Sequence, residues 1–425
     1  MKQKKLNASS LANGKIYLPG SKSITNRVLL MSALSDGDTL IQNYLDSDDT
    51  QQMLNALKVL KIEFDIIQKT DILIKGCNHN FLNKNAKLSL GNAGTVFRPL
   101  TAVLALIGGK YHLKGTKRMH ERPIKDLVDS LKQIGAKIDY IGNPGYPPLK
   151  IFPANIICNK KIKIKGNVSS QYLTALLIAG PLCDQNIEIQ IIGDLISKPY
   201  IDITLKLLSQ FGIKYKNNNW TNFTLKATSK FKSPKKIKIE GDASSASYFF
   251  AAGAIGGAVE VANINRSSIQ GDLEFLKIIK KMGATIQYLP NSIKVSKKKQ
   301  LVGITIDCKK IPDAAMTLAI LALFAKGSTT LKSIGSWRIK ETDRILAMET
   351  ELRKLGAFVS TTKNSITIKP PKKIHNNISI DTYDDHRIAM CFSLICLADK
   401  NIIINDPDCT KKTYPNFFKD FGGII

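Results

Sequence analysis

The stretch "LPGSKSITNR", Leu18 to Arg27, sets a glycine turn, two serines, a lysine and an arginine close together. Lys22, Ser23 and Arg27 at the start of a helix suit a phosphate or a carboxylate, because the cations supply charge and the guanidinium a two-pronged donor. This is not a nucleotide loop of the G-x-x-x-x-G-K-[ST] type, since only Ser21 separates Gly20 from Lys22. Further on, "MHERPIKDL" places Arg122 before Pro123, a residue suited to a helix's first turn. "GSWRIKETDRILAM" crowds Arg338, Lys340, Glu341, Asp343 and Arg344 together. It reads as a salt-bridge ladder at helical spacing, or as an anion clamp with a carboxylate set for proton transfer. "IPDAAMTLAI" opens an apolar run with Asp313, a helix cap or a general base. "TYDDHRIAM" adds His386 and Arg387.

Such groups need elements that aim them, and the chain supplies two recurring patterns. The first is a helix end, a glycine and a strand: "LKQIGAKID" at Leu131, "LSQFGIKYK" at Leu208, "IKKMGATIQ" at Ile279 and "LRKLGAFVS" at Leu352. "LKVLKIEFD" at Leu57 is a weaker copy with Lys61 in the glycine position, and "FKDFGGII" closes the chain. The glycine suits the left-handed conformation that ends a helix. The second pattern is a polar turn opening an apolar helix. Its copies are "GSKSITNRVLLMSAL", "GNAGTVFRPLTAVLAL", "GNVSSQYLTALLIAG", "GDASSASYFFAAGAI", "IPDAAMTLAILALF" and "TYDDHRIAMCFSLICL". Helices apolar nearly all round belong inside a domain. Six units of two helices and several strands predict two domains of three units, with a break near Lys235 to Asp242 and a second crossing near Gly20. A helix start carries unpaired N–H groups that suit an anion, although the same turns serve as plain caps. The cations within them, Lys22, Arg27, Arg98, His386 and Arg387, favour anion binding.

The bulk composition agrees with anionic partners. The chain has 425 residues, 44% hydrophobic, with a formal net charge of +28. Such a field attracts nucleic acid, acidic membrane or small phosphorylated molecules. Runs such as "KVSKKKQ" read as solvated edges, and the low aromatic content (7%) argues against nucleic acid. Cysteines at 77, 158, 183, 308, 391, 396 and 409 form no C-x-x-C pair and predict free, mostly buried thiols in a reducing compartment. The five histidines are too scattered to suggest a metal centre. No secretion signal or membrane-length apolar run stands out, so a cytoplasmic protein without a membrane partner is expected.

"LPGSKSITNR", "LGNAGTVFRPL", "ERPI", "SSQYLTALL", "SKPYIDIT", "GDASSASYF", "IPDAAMT", "WRIKETDR", "TYDDHRIAMCFSL" and "DPDCTKKTYPNFF" together closely resemble the 5-enolpyruvylshikimate-3-phosphate synthase family, from about Leu18 to Phe418. The resemblance implies an α/β protein of the two-domain inverse α/β type, each domain three βαβαββ repeats around buried parallel helices. It places an N-terminal domain at 21–240, a C-terminal domain at 1–20 plus 241–425, and the active site in the interdomain cleft. The implied reaction is addition–elimination. Phosphoenolpyruvate gives its enolpyruvyl group to the 5-hydroxyl of shikimate 3-phosphate and phosphate leaves, a step toward chorismate and the aromatic amino acids. No metal or organic cofactor is implied.

By the same resemblance, shikimate 3-phosphate is held by Lys22, Ser23, Arg27, Ser169, Ser170, Gln171, Ser197, Asp313, Ser336 and Lys340. Phosphoenolpyruvate is held by Lys22, Gly94, Arg122, Gln171, Arg344, Arg387 and Lys412. Asp313 resembles the base for the 5-hydroxyl, Lys22 and Glu341 the proton-transfer groups, and His386 a supporting donor. Ser336 stands where many members carry Asn, and Lys412 is preferred to the adjacent Lys411. Gly94 and Pro99 keep the pattern of members inhibited by glyphosate. A monomer that closes on shikimate 3-phosphate is implied. The UDP-N-acetylglucosamine enolpyruvyl transferases share the fold and the donor, but "SSQ", "KETDR" and "DHR" favour the shikimate family.

Overall fold

The computed structural model describes residues 2–158 and 161–425. The chain divides into two compact units, one of residues 20–239 and one of residues 1–19 with 240–425.

The 20–239 unit holds α1 (Lys22–Leu34), α2 (Asp48–Val59), α3 (Gly94–Ile107), α4 (Lys125–Lys132), α5 (Ser170–Ala179) and α6 (Lys198–Gln210). The apolar runs become the inner helices: in α1 every residue but Ser23 is buried. The alternate helices are one-sided. In α2 the buried positions Asp49, Thr50, Met53, Leu54, Ala56 and Leu57 follow helical spacing, and Ser47 and Thr50 close a capping box at its start. Three four-stranded sheets surround them, each with one parallel pair followed by two antiparallel ones. In the middle sheet Asn85–Ser89 runs parallel to Lys110–Lys114, which pairs antiparallel with Leu149–Phe152. The crossover between the parallel strands is α3, as a βαβ connection requires.

The second unit repeats the plan with α7 (Ala243–Gly256), α8 (Glu274–Met282), α9 (Ala315–Leu321), α10 (Arg344–Lys354), α11 (His386–Ser393) and α12 (Phe417–Gly422). All of α7 is buried. The chain's first residues complete two of its sheets. Ala12–Tyr17 runs parallel to Gly257–Ala262, and Gln3–Leu6 pairs antiparallel with Ile402–Asn405. Both units are therefore built of βαβαββ repeats, the last of them cut to a three-stranded sheet, and belong to the mixed α/β class that the six sequence repeats predict.

The helix-ending glycines behave as their position demands. Gly135, Gly212, Gly283 and Gly356 have φ of +97°, +78°, +118° and +91°, and Lys61 takes +66° in the copy without glycine. The last copy ends differently, with Gly423 at φ −77°. The expectation that all thiols are free is corrected at one pair. Cys158 and Cys183, 25 residues apart, form a disulfide with their Cα atoms 6.2 Å from each other, while the other five cysteines are free. Cys158 precedes the strand Ile162–Lys165 and Cys183 follows α5, so packing rather than sequence spacing brings them together. Among the described residues no helix is long and apolar enough to cross a membrane, and no group of His, Cys, Asp or Glu is placed to hold a metal ion.

Candidate active site

Each unit carries several of the side chains singled out from the sequence, most of them at helix starts. In the 20–239 unit the first turns of α1 present Lys22, Ser23 and Arg27. Lys22 is buried with its Nζ 3.1 Å from Asp49 Oδ2, on the first turn of α2. Arg27 is buried among neutral acceptors. Nε donates to Thr204 Oγ1 at 2.9 Å, Nη1 to the Ser23 carbonyl at 2.7 Å, and Nη2 to Thr174 Oγ1 and the Tyr200 carbonyl at 3.4 Å each. Burial lowers its pKa to about 10, which leaves it charged at neutral pH.

Arg122 lies just before α4 and is only 4% exposed, not a surface arginine. Its Nη1 donates to the carbonyl and side-chain oxygens of Asn92 at 3.1 and 3.0 Å, and its Nε is buried without a hydrogen-bond partner among the described residues. Gly94 opens α3, and a Cβ there would lie 2.5 Å from Arg98 Nη1, 3.0 Å from Arg122 Nη2 and 3.0 Å from Gln171 Oε1. The glycine thus keeps open a niche walled by two guanidinium groups and an amide. Ser169 caps α5, its hydroxyl accepting from the Gln171 N–H at 3.2 Å, which places Ser170 and Gln171 on the first turn. Ser197, with φ +53°, precedes α6 and is buried.

In the 240–425 unit cations and carboxylates interleave. Asp313 accepts from Arg344 Nη1 and Arg387 Nη2, both at 3.0 Å, with Lys340 Nζ at 3.6 Å. Burial pushes its pKa up, but Arg387, Lys340 and Arg344 together outweigh that and hold the carboxyl well below the usual carboxylate range. Arg344 is 1% exposed and also donates to Glu341 Oε2 at 2.8 Å and Asp385 Oδ2 at 2.7 Å. Arg387 Nη1 donates to Tyr248 Oη at 3.2 Å, and its backbone N–H to Asp385 Oδ1 at 2.9 Å. His386 starts α11, buried, with Nδ1 3.8 Å from Asp385. Ser244 donates to the buried carboxyl of Asp272, whose pKa burial and then the charge of Asp313 raise to about 6.

The "WRIKETDR" segment is not a helical ladder. Gly335–Ile339 is a 3-10 turn holding Ser336, and α10 begins at Arg344, capped by Asp343. Lys340 and Glu341 therefore reach Asp313 and Arg344 from a turn. Lys412, at the end of the 3-10 segment Pro407–Lys412, is buried, whereas Lys411 pairs at the surface with Asp408 at 3.1 Å. Asp49 and Tyr248 join the clusters without having been assigned a role from sequence, whereas Arg98 is one of the helix-start cations that the sequence marks for anion binding. Arg98 carries the one legible signal, since it lies four residues after Gly94 on the same helix.

The family model for EPSP synthase (3-phosphoshikimate 1-carboxyvinyltransferase) matches residues 6–421. The 3-phosphoshikimate 1-carboxyvinyltransferase of Cupriavidus necator is 53% identical over 422 residues, 97% of either chain. That of Paraburkholderia phytofirmans is 51% identical over 423 residues, 98% of this chain and 97% of its own. The solved EPSP synthase of Acinetobacter baumannii has a TM-score of 0.83 over 100% of this chain and 98% of its own, at 24% identity, a likeness of fold.

Proposed function

Because the chain belongs to the EPSP synthase family and so transfers the enolpyruvyl group of phosphoenolpyruvate to shikimate 3-phosphate, a step of aromatic biosynthesis, we propose that the two clusters divide that reaction between them. The 20–239 cluster is the anion holder. Lys22, Arg122, Gly94 and Gln171 take phosphoenolpyruvate, and Lys22, Ser23, Arg27, Ser169, Ser170, Gln171 and Ser197 take shikimate 3-phosphate. The 240–425 cluster completes both sets, with Arg344, Arg387 and Lys412 for the first substrate and Asp313, Ser336 and Lys340 for the second. Small polyanions account for so many buried cations, because a buried charge is tolerated only when it is paired.

The chemistry needs a proton delivered and a proton removed. Lys22 or Glu341 protonates the methylene carbon of phosphoenolpyruvate, and its C2 gains cationic character. The 5-hydroxyl oxygen bonds to C2 while Asp313 takes its proton. The tetrahedral adduct then loses a methyl proton, the C2–O bond to phosphate breaks, and the enol ether and inorganic phosphate remain. In the free protein Asp313 is a weak base, since three cations stabilise its charge. A substrate carboxylate on Arg344 and Arg387 offsets that field and raises the carboxylate's affinity for the proton it must take. His386 supports Glu341. The enzyme acts as a monomer in the cytoplasm, which light scattering at 46.9 kDa and cell fractionation test.

The observation that carries this reading is the niche at Gly94, where two buried guanidinium groups and an amide converge on space that a methyl group would fill. A phosphate-release assay, run with both substrates and with each omitted, tests it on the wild type and on Arg122→Ala. Release that needs both substrates and collapses in the variant is expected. Near-normal turnover by the variant sinks the assignment.

A further inference from the structure

Arg387 is held by two acceptors of different kinds. Asp313 takes its Nη2 at 3.0 Å, and the phenol oxygen of Tyr248 takes its Nη1 at 3.2 Å. Tyr248 lies in the second turn of α7, a helix buried along its whole length, and is itself fully buried. Its ring meets Phe417 edge-on, with centroids 5.9 Å apart and planes at 80°, and the neighbouring Phe249 packs on the same Phe417. The phenol is therefore clamped on a rigid helix and aimed at one guanidinium. Burial pushes its pKa up, so it stays a neutral hydroxyl throughout the working range of pH. A hydrogen bond to a charged group is stronger than one between neutral groups, and one in a dry interior is stronger still.

The two acceptors differ in what the reaction asks of them. Asp313 gains and loses a proton, so its pull on Arg387 changes within each turnover. Tyr248 changes nothing. We infer that Tyr248 is a positioning residue for phosphoenolpyruvate, holding the Arg387 fork in one plane through Nη1 while the charge on the Nη2 partner changes. This rests on the assignment of Arg387 to phosphoenolpyruvate made above. Tyr248 touches no reacting atom, and its action passes through Arg387 alone.

The test is a double-mutant cycle in the full-length enzyme with Tyr248→Phe and Arg387→Lys. The phenylalanine keeps the ring against Phe417 and removes only the oxygen. The lysine keeps the charge but loses the fork. Expected for Tyr248→Phe is a rise of about tenfold in KM for phosphoenolpyruvate, with kcat and KM for shikimate 3-phosphate within about twofold and the thermal midpoint unchanged. In the Arg387→Lys background the same change should add less than about twofold. An unchanged KM for phosphoenolpyruvate in Tyr248→Phe overturns the inference. So does a parallel rise in both KM values with a lowered midpoint, which marks a merely structural tyrosine, or a full tenfold penalty persisting in the Arg387→Lys background. If Arg387→Lys by itself leaves KM for phosphoenolpyruvate unchanged, the assignment of Arg387 fails and the inference falls with it.

Discussion

The two clusters solve the problem of buried charge in opposite ways. In the 20–239 unit Arg27 rests on hydroxyls and carbonyls, Arg122 on an asparagine, and Arg98 donates to the Pro123 carbonyl at 3.1 Å. Lys22 meets a carboxylate, Asp49, at 3.1 Å. In the 240–425 unit Arg344 alone meets three carboxylates, and Asp313 meets three cations. The first arrangement seats its guanidinium groups on neutral acceptors. The second is already balanced, so its groups hold one another in place and keep the base ionised. The helix starts of the two units thus carry two different balances of charge.

The contrast breaks most visibly at Arg344. Arg344→Ala removes the one buried cation that Glu341, Asp385 and Asp313 share and should cost about 3–5 kcal/mol of stability in urea unfolding. Arg122→Ala, whose partners are neutral, should unfold within about 1 kcal/mol of the wild type. An equal loss from both would erase the distinction. For turnover, Lys22→Ala and Arg122→Ala should each lower kcat/KM by about a hundredfold to a thousandfold in the phosphate-release assay.

A smaller effect separates carboxylates within the 240–425 unit by pH. Asp272 has its folded pKa raised to about 6 from the ordinary 3.8, so the native state binds the extra proton and stability falls as pH rises between those values. Asp272→Asn should abolish that fall, a difference of up to ~3 kcal/mol at pH 7 in denaturant melts compared across pH. Asp313 runs the other way. Its depressed pKa contributes stability that is present above about pH 4 and is lost on acidification. A pH profile unaltered by Asp272→Asn would remove this carboxyl from the account. Smallest of all, Gly94→Ala puts a methyl 2.5 Å from Arg98 Nη1 and should raise KM for phosphoenolpyruvate about tenfold with little change for shikimate 3-phosphate. Unchanged kinetics would show that the guanidinium moves aside without cost.

Much of this was readable in advance because it follows from local rules. The six apolar helices announced themselves as buried, and four of the helix-ending glycines took the left-handed angle that their position asked for. Lys22, Arg27 and Arg387 stood out as cations at the heads of apolar helices, where a plain cap has no need of them. Other features had no local signature. Arg122 looks like any arginine before a helix until its burial is seen. The "KETDR" run has helical spacing, yet its first four residues lie between the 3-10 segment that ends at Ile339 and the helix that begins at Arg344. Cys158 and Cys183 meet only because a strand and a helix end pack together.

Residue order alone determined the α/β class, the repeat count and the cationic helix starts, because periodicity, turn chemistry and charge are properties of neighbours along the chain. Only the tertiary structure decided which charges compensate which: Lys22 with Asp49, Arg387 with Asp313 and Tyr248, Arg98 and Arg122 about Gly94. Coulomb and hydrogen-bond energies depend on distance and burial in space, and separation along a sequence fixes neither.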